Sequence, residues 1–178
     1  MGGKRPWIFL LSVCLLLLGV DQSLKAYTFQ NILPLHWASS IYPYGGIPVF
    51  QNWHGIDFSL NYVMNKGAAW GVFSSFQSYL LYARFLIIGA LLSYVMFSAN
   101  SFLKKGALSL IAVGAVGNII DFFVYGHVVD MFHFCFFGYT FPIFNVADAT
   151  IFCGVAILFF QNYRENKKKP VLKSKITP

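Results

Sequence analysis

Four long apolar stretches decide what this chain can become. They run roughly from Trp7 to Thr28, Tyr79 to Ala99, Gly106 to Tyr125 and Pro142 to Tyr163. Each is close to the ~20 mostly apolar residues a helix needs to cross a bilayer. Composition agrees: 57% of the 178 residues are hydrophobic and only 11% are charged, against about a quarter charged in soluble domains. The expected fold is an all-α membrane protein of four transmembrane helices in one domain, residues 1–163. The first stretch follows Lys4 and Arg5, as a secretory signal peptide would. No small-x-small cleavage site comes after it, and the chain reads on into "DQSLKAYTF", so a retained helix is expected.

The net charge of +7 suggests nucleic acid until its placement is read. Lys4, Arg5, Lys104, Lys105, Arg164, Lys167, Lys168, Lys169, Lys173 and Lys175 all fall on one side of the four spans, leaving only Lys25, Lys66 and Arg84 of the 13 basic residues. Positive charge marks the cytoplasmic side. Both termini are therefore expected in the cytoplasm, with residues 164–178 a disordered basic tail that could touch anionic lipid. Residues 30–76 and 126–141 are then exoplasmic.

The first exoplasmic segment carries turn chemistry at "YPYGGIP". Beyond it, Ile56, Phe58, Leu60 and Tyr62 alternate with Asp57, Ser59 and Asn61. Period two predicts a strand with one wet face, turned back at His54-Gly55 onto "IPVFQNW". A small sheet, a cradle lying on the outer membrane surface, is expected. The second segment, Gly126 to Phe141, is short and aromatic, which suits the headgroup interface. Cys14, Cys135 and Cys153 form neither CxxC nor an even framework, so no structural disulfide is expected.

Six acids are present: Asp21, Asp57, Asp121, Asp130, Asp148 and Glu165. Asp21, Asp121, Asp130 and Asp148 lie in or at the ends of spans, all at the exoplasmic level. Ionisable groups there are costly and default to a functional reading. Gly114, Asn118 and Asp121 recur at i, i+4 and i+7, so they share one stripe of the third helix. Asp21 and Lys25 form an i, i+4 pair with the acid first, which can simply neutralise itself. Asn118 and Asp121 can serve an interhelical hydrogen-bond network as well as chemistry. In "FPIFNVADAT", Asn145 fits an N-cap, and Asp148 three residues on fits a capping box and the helix dipole. That account explains Asp148 without chemistry, but Asp130 has no matching pattern. His127, His133 and Cys135 match no common zinc spacing, and no nucleotide loop is present, so neither metal nor cofactor is expected.

The chemistry that remains is that of paired carboxylates. Two held close cannot both ionise, so they share a proton. One activates a water as base, and the other donates to a carbonyl and steadies the developing oxyanion. The helix dipole favours Asp148 as the ionised partner. A water-using site at this level implies a substrate itself anchored in the membrane.

Together the residues resemble one known family, lipoprotein signal peptidase, also called signal peptidase II. Its motifs stand as "DQSLK" at 21–25, "NKGAAWGVF" at 65–73, "GAVGNIID" at 114–121, "GHVVDMF" at 126–132 and "FNVAD" at 144–148. The resemblance implies an aspartyl endopeptidase of the bacterial inner membrane, acting as a monomer without cofactor. It would cut diacylglyceryl-modified prolipoproteins just before the lipidated cysteine and be inhibited by the cyclic peptide globomycin. By motif position Asp130 and Asp148 are the catalytic pair. Asn65, Gly67, Ala68, Gly114, Asn118, Asp121, Asn145 and Ala147 shape or support the pocket, and Asp21 with Lys25 matches the polar pair of the first helix. One departure stands out: the family pattern has an arginine after the acid matched by Asp121, and this chain has Phe122, so Lys66 or Arg84 is the candidate substitute. The rival functions are a small proton-coupled transporter or channel, and a scaffold whose polar residues are all structural. A transporter predicts acids spread through the depth of the bilayer, and a scaffold predicts silent Asp→Asn changes.

Overall fold

The computed structural model describes residues 5–35, 41–66, 77–97 and 101–168. Its elements follow the order α1 (Arg5–Asn31), β1 (Ile47–Trp53), β2 (Ile56–Asn65), α2 (Gln77–Phe97), α3 (Phe102–Tyr125), β3 (Val128–Phe136), β4 (Tyr139–Thr140) and α4 (Val146–Lys168). Gly67 and Ala68, with the rest of "NKGAAWGVF" after Lys66, lie outside the described residues. Among the described residues, three helices are long and apolar enough to cross a membrane: Pro6–Asn31, Phe102–Tyr125 and Val146–Lys167. The apolar stretch of α2, Leu81–Val95, is shorter. Ile8, Phe9, Leu16, Leu86, Phe123 and Phe152 are all exposed. So many large apolar side chains on helix surfaces fit lipid as the surrounding solvent.

Several boundaries move from their expected places, each for a local reason. The fourth helix starts at Val146 rather than Pro142, because Phe144 is bonded to the sheet: Met131 and Phe132 both donate their backbone N–H to Phe144 O, at 3.1 and 2.8 Å. Its other end continues to Lys168, so the first residues of the expected tail are helical. There Lys104 Nζ meets Glu165 Oε2 at 2.9 Å, and Gln161 Nε2 donates to Ser101 Oγ at 2.9 Å. Ser101 is also the N-cap of α3, accepting from Lys104 N. The third helix ends at Gly126, whose φ of 75° is the left-handed cap conformation.

The strands form one antiparallel sheet in the order β1-β2-β3-β4. The turn between β1 and β2 falls at His54 and Gly55, both at positive φ, as a two-residue hairpin requires. Within the second interhelical segment β3 is a strand, and it pairs with β2 of the first. Between Leu60↔Phe132 and Val63↔Asp130 the register slips, leaving one extra residue in β2. A bulge of this kind reverses which side chains share a face. Ile56, Phe58 and Leu60 lie on one face before it, and Val63 and Asn65 join that same face after it.

The expected wet face of β2 is not wet. Ser59 and Asn61 are fully buried, because the turn at 41–46 covers them. Asn61 Nδ2 donates to Pro43 O at 2.7 Å, and Ser59 Oγ donates to Asn61 Oδ1 at 2.6 Å. The opposite face is aromatic. Phe58 stacks on Phe134 at 4.3 Å between centroids, Phe134 in turn faces Phe136 and Phe144, and Phe50 abuts Phe58. Asp130 belongs to the same face of β3 as Phe132, Phe134 and Phe136.

Helices α3 and α4 approach closely at Gly114. A Cβ there would stand 2.5 Å from Ala147 O and 2.7 Å from Ile151 Cγ1. Small residues at such crossings let backbones meet. Gly114→Ala is expected to lower stability in detergent by about 1–3 kcal/mol. Gly19→Ala, where a Cβ meets nothing within 4 Å, should be neutral or mildly stabilising. Thermal unfolding of the two variants checks this, and equal shifts would contradict the close crossing.

Candidate active site

The site forms where the start of α4 meets β3, against α1 and α3. Asn145 organises it. As N-cap of α4 its Oδ1 accepts from Asp148 N at 2.8 Å, and Asp148 Oδ2 accepts in return from Asn145 N at 3.4 Å. That reciprocal pair is a capping box with an acid at its third position. The Asn145 amide has a further role: Nδ2 donates to Asp130 Oδ1 at 2.7 Å. One side chain thus links the two aspartates. Asn118 Nδ2 donates to Asp148 Oδ1 at 2.8 Å, and Asn65 Nδ2 donates to Asp130 Oδ2 at 2.9 Å. Every oxygen of both carboxyls therefore has an amide partner.

Asp130 is 3% exposed, while Asp148 is only half-buried. Burial, with the Asp148 charge beside it, pushes the Asp130 carboxyl up to about 7 from 3.8. The bonds from Asn65 and Asn145 and the Lys25 charge hold it back from rising further.

Beneath the pair lies a buried charged layer. Lys25 is wholly buried, with Nζ 2.8 Å from Asp21 Oδ2, 2.7 Å from Asp121 Oδ2 and 3.0 Å from Asn118 Oδ1. Asp21 and Asp121 are also buried. Lys25 thus pairs directly with Asp121 in a chain that has Phe122 at the next position, and the half-buried Arg84 also feels the charges of Asp148, Asp130 and Asp121. Asp21 Oδ1 also accepts from Ala147 N at 2.8 Å, so an acid of α1 caps an orphan N–H at the start of α4. Asp121 Oδ2 accepts from Val129 N at 3.2 Å, tying α3 to β3 one residue before Asp130.

Of the sequence-selected residues, the structure brings together Asp21, Lys25, Asn65, Gly114, Asn118, Asp121, Asp130, Asn145, Ala147 and Asp148, while Gly67 and Ala68 lie outside the described residues. Sequence reasoning passed over Gln22, whose Nε2 donates to Asp121 Oδ1 at 3.0 Å, Asp21 Oδ2 at 3.1 Å and Gly117 O at 3.2 Å. An amide inside an apolar span, next to one charge and three residues from another, was the available signal. His127 and His133 sit in separate places: Tyr62 Oη lies 2.7 Å from His127 Nε2, and His133 Nδ1 lies 3.3 Å from Asn61 Oδ1. Cys14, Cys135 and Cys153 are free.

The chain as a whole has counterparts among known proteins. The chain matches the family described as signal peptidase (SPase) II over residues 13–164. It is 30% identical to a lipoprotein signal peptidase of Psychromonas ingrahamii, over 95% of this chain and 91% of that protein. The corresponding enzyme of Streptococcus pneumoniae is 36% identical over 86% of this chain and 91% of the relative. Among solved structures, a bacterial membrane enzyme determined by the in meso method at 2.3 Å superposes with a TM-score of 0.74 at 26% identity, covering 91% and 92% of the two chains. A second, at 1.9 Å, gives 0.71 at 26% identity, over 88% of this chain and 94% of the other. With its apolar spans, the shared architecture and a match along most of its length, the chain is a multi-pass membrane protein that belongs to the signal peptidase II family of peptidases.

Proposed function

We propose that this protein removes signal peptides from diacylglyceryl-modified prolipoproteins, hydrolysing the bond just before the lipidated cysteine with Asp130 and Asp148 as an aspartyl pair. The observation that carries the reading is the sharing of Asn145: its amide holds Asp130 while its backbone N–H and Oδ1 hold Asp148. Asp148, at a helix N-terminus with donors to both oxygens, is the ionised base. Asp130, buried and raised to about 7, keeps the shared proton. The base takes a proton from water as the water oxygen adds to the scissile carbonyl carbon, and Asp130 gives its proton to the carbonyl oxygen. Collapse of the tetrahedral diol breaks the C–N bond, with a proton passing to the leaving nitrogen. No covalent intermediate or metal enters these steps. Asn65, Asn118 and Asn145 orient the carboxyls, and the Asp21–Lys25–Asp121 layer fixes the helices that carry them. By the family resemblance Gly67 and Ala68 also support the pocket, and both lie outside the described residues.

The substrate reading rests on place as well as family. The aromatic face of the sheet leads along β3 to Asp130, so a lipid-bearing peptide can slide in from the bilayer against apolar surface. In this account α2 is the fourth span of one domain, residues 1–163. Both termini are cytoplasmic, the site opens on the exoplasmic side of the bacterial inner membrane, and a monomer suffices. Globomycin occupies the same site. The test is cleavage of a diacylglyceryl-modified prolipoprotein by purified protein in detergent. Cutting is expected to be blocked by globomycin and indifferent to chelator, and no cutting at all would reject the reading.

A pH profile adds a second check. Above about 7 the shared proton is lost, so cleavage is expected to decline through that value. Stability follows the same group. Between 3.8 and about 7, the folded state binds a proton that the unfolded chain has released, so unfolding free energy falls as pH rises through this window. Asp130→Asn should flatten that slope, and an unchanged slope would assign the titration to another group.

A further inference from the structure

At the end of the molecule far from the aspartates, a cleft of about 600 Å³ opens between the start of α3 and the last turns of α4. Leu103, Ile157 and Phe160 form its apolar wall, and Gln161, Arg164 and Glu165 its polar end. Leu103 and Phe160 are exposed on the lipid-facing surface. The charges around it are unbalanced. Glu165 is engaged by Lys104 Nζ at 2.9 Å, while no acid pairs with Arg164 among the described residues. Lys105 lies 4.9 Å over the Trp7 ring and Lys167 4.8 Å over the Tyr163 ring, which places two more cations at this level. Such aromatic partners are typical of the headgroup zone.

One atom narrows the ligand. Gln161 Nε2 donates to Ser101 Oγ and to Glu165 Oε1, at 2.9 and 3.2 Å. The carboxylate accepts only, so the orientation of the amide is set. Its Oε1 is then left buried with no hydrogen-bond partner, although a buried acceptor ordinarily has one.

We propose that this cleft binds one anionic phospholipid: its acyl chain on Leu103, Ile157 and Phe160, its phosphate on Arg164, and a headgroup hydroxyl donating to Gln161 Oε1. Phosphatidylglycerol has all three parts. Phosphatidylcholine has no headgroup donor, and its ammonium would add a cation beside Lys104, Arg164 and Lys167. Basic clefts between spanning helices suit anionic headgroups in just this way. The site needs α3 and α4 to cross the bilayer and does not depend on the peptidase reading.

Native mass spectrometry of the full-length protein in neutral detergent, titrated with phosphatidylglycerol or phosphatidylcholine, reads the site directly. Wild type is expected to retain phosphatidylglycerol at least about fivefold more tightly, near the effect of one basic side chain at a membrane surface. Arg164→Gln should remove that preference and Arg164→Lys restore most of it. Gln161→Leu should weaken phosphatidylglycerol while leaving phosphatidylcholine unchanged. Lys173→Gln with Lys175→Gln should keep the preference, since the proposal puts the phosphate on Arg164. Equal retention of the two lipids by wild type, wild-type preference in Arg164→Gln, or loss of preference only in the double lysine variant would overturn the proposal. The readout is binding, so loss or persistence of cleavage activity has no bearing on it.

Discussion

Asp130→Asn and Asp148→Asn are each expected to lower cleavage by about 10²–10⁴-fold, the range attributed to a positioned acid or base. Asparagine keeps the shape of the side chain and one acceptor oxygen, so the loss falls on the ionisable proton rather than on packing. At position 148 the Asn145 half of the capping box survives, because Asn145 Oδ1 still accepts from the backbone N–H of residue 148, while an amide NH₂ replaces one of the two oxygens that accept from Asn118 Nδ2 and Asn145 N. At position 130 the change removes a carboxyl that burial already disfavours in its charged form. Both variants should therefore fold, and Asp130→Asn should be no less stable than wild type near pH 7. The double variant should be scarcely worse than either single one, as for groups acting as a unit. Cleavage assays beside unfolding curves test all three statements. Near-wild-type cutting by either variant would end the aspartyl account and favour the reading in which these polar residues are structural.

The second large effect concerns Lys25. Lys25→Met leaves Asp21 and Asp121 buried without their cation, and breaking a buried pair from one side costs about 3–5 kcal/mol. The damage should spread, since Asp21 also holds Ala147 N and Asp121 holds Val129 N, the neighbours of Asp148 and Asp130. The expected result is a large drop in unfolding temperature together with lost activity. Adding Asp121→Asn to Lys25→Met should recover part of the stability, because one orphaned charge then disappears. If Lys25→Met unfolds like wild type, the charged layer is not what joins α1 to α3.

Much of this is legible without coordinates. Apolar length places the helices within a few residues, because lipid imposes one simple requirement on a span. The acids at one end of the apolar stretches pick out the cluster around Asn145, and the spacing of Asn145 and Asp148 gives the cap. Capping and site chemistry read as alternatives for Asp148 in the sequence, yet the structure gives it both surroundings. What escapes the sequence depends on contacts distant along the chain. Period two assigns Ser59 and Asn61 to water, but nothing local says that the turn around Pro43 will lie over them. The bulge that brings Asn65 onto the face of Asp130 is invisible in an alternating pattern. Spacing pairs Lys25 with Asp21, and its closer contact with Asp121 emerges only when α1 and α3 pack. Gln22 escapes because an amide carries no charge to draw the eye.

The three-way contact at Lys25 also bears on how such a chain can enter a bilayer during synthesis. The first helix carries its own counter-ion, Asp21 beside Lys25, and can cross as a neutral unit. The third helix brings Asp121 with no cation near it, its own Lys104 and Lys105 standing at the opposite end. It becomes fully tolerable in hydrocarbon only once the earlier helix is there to receive it. Because α1 precedes α3 along the chain, the positive partner is already waiting when the negative one emerges, and insertion and assembly become a single event.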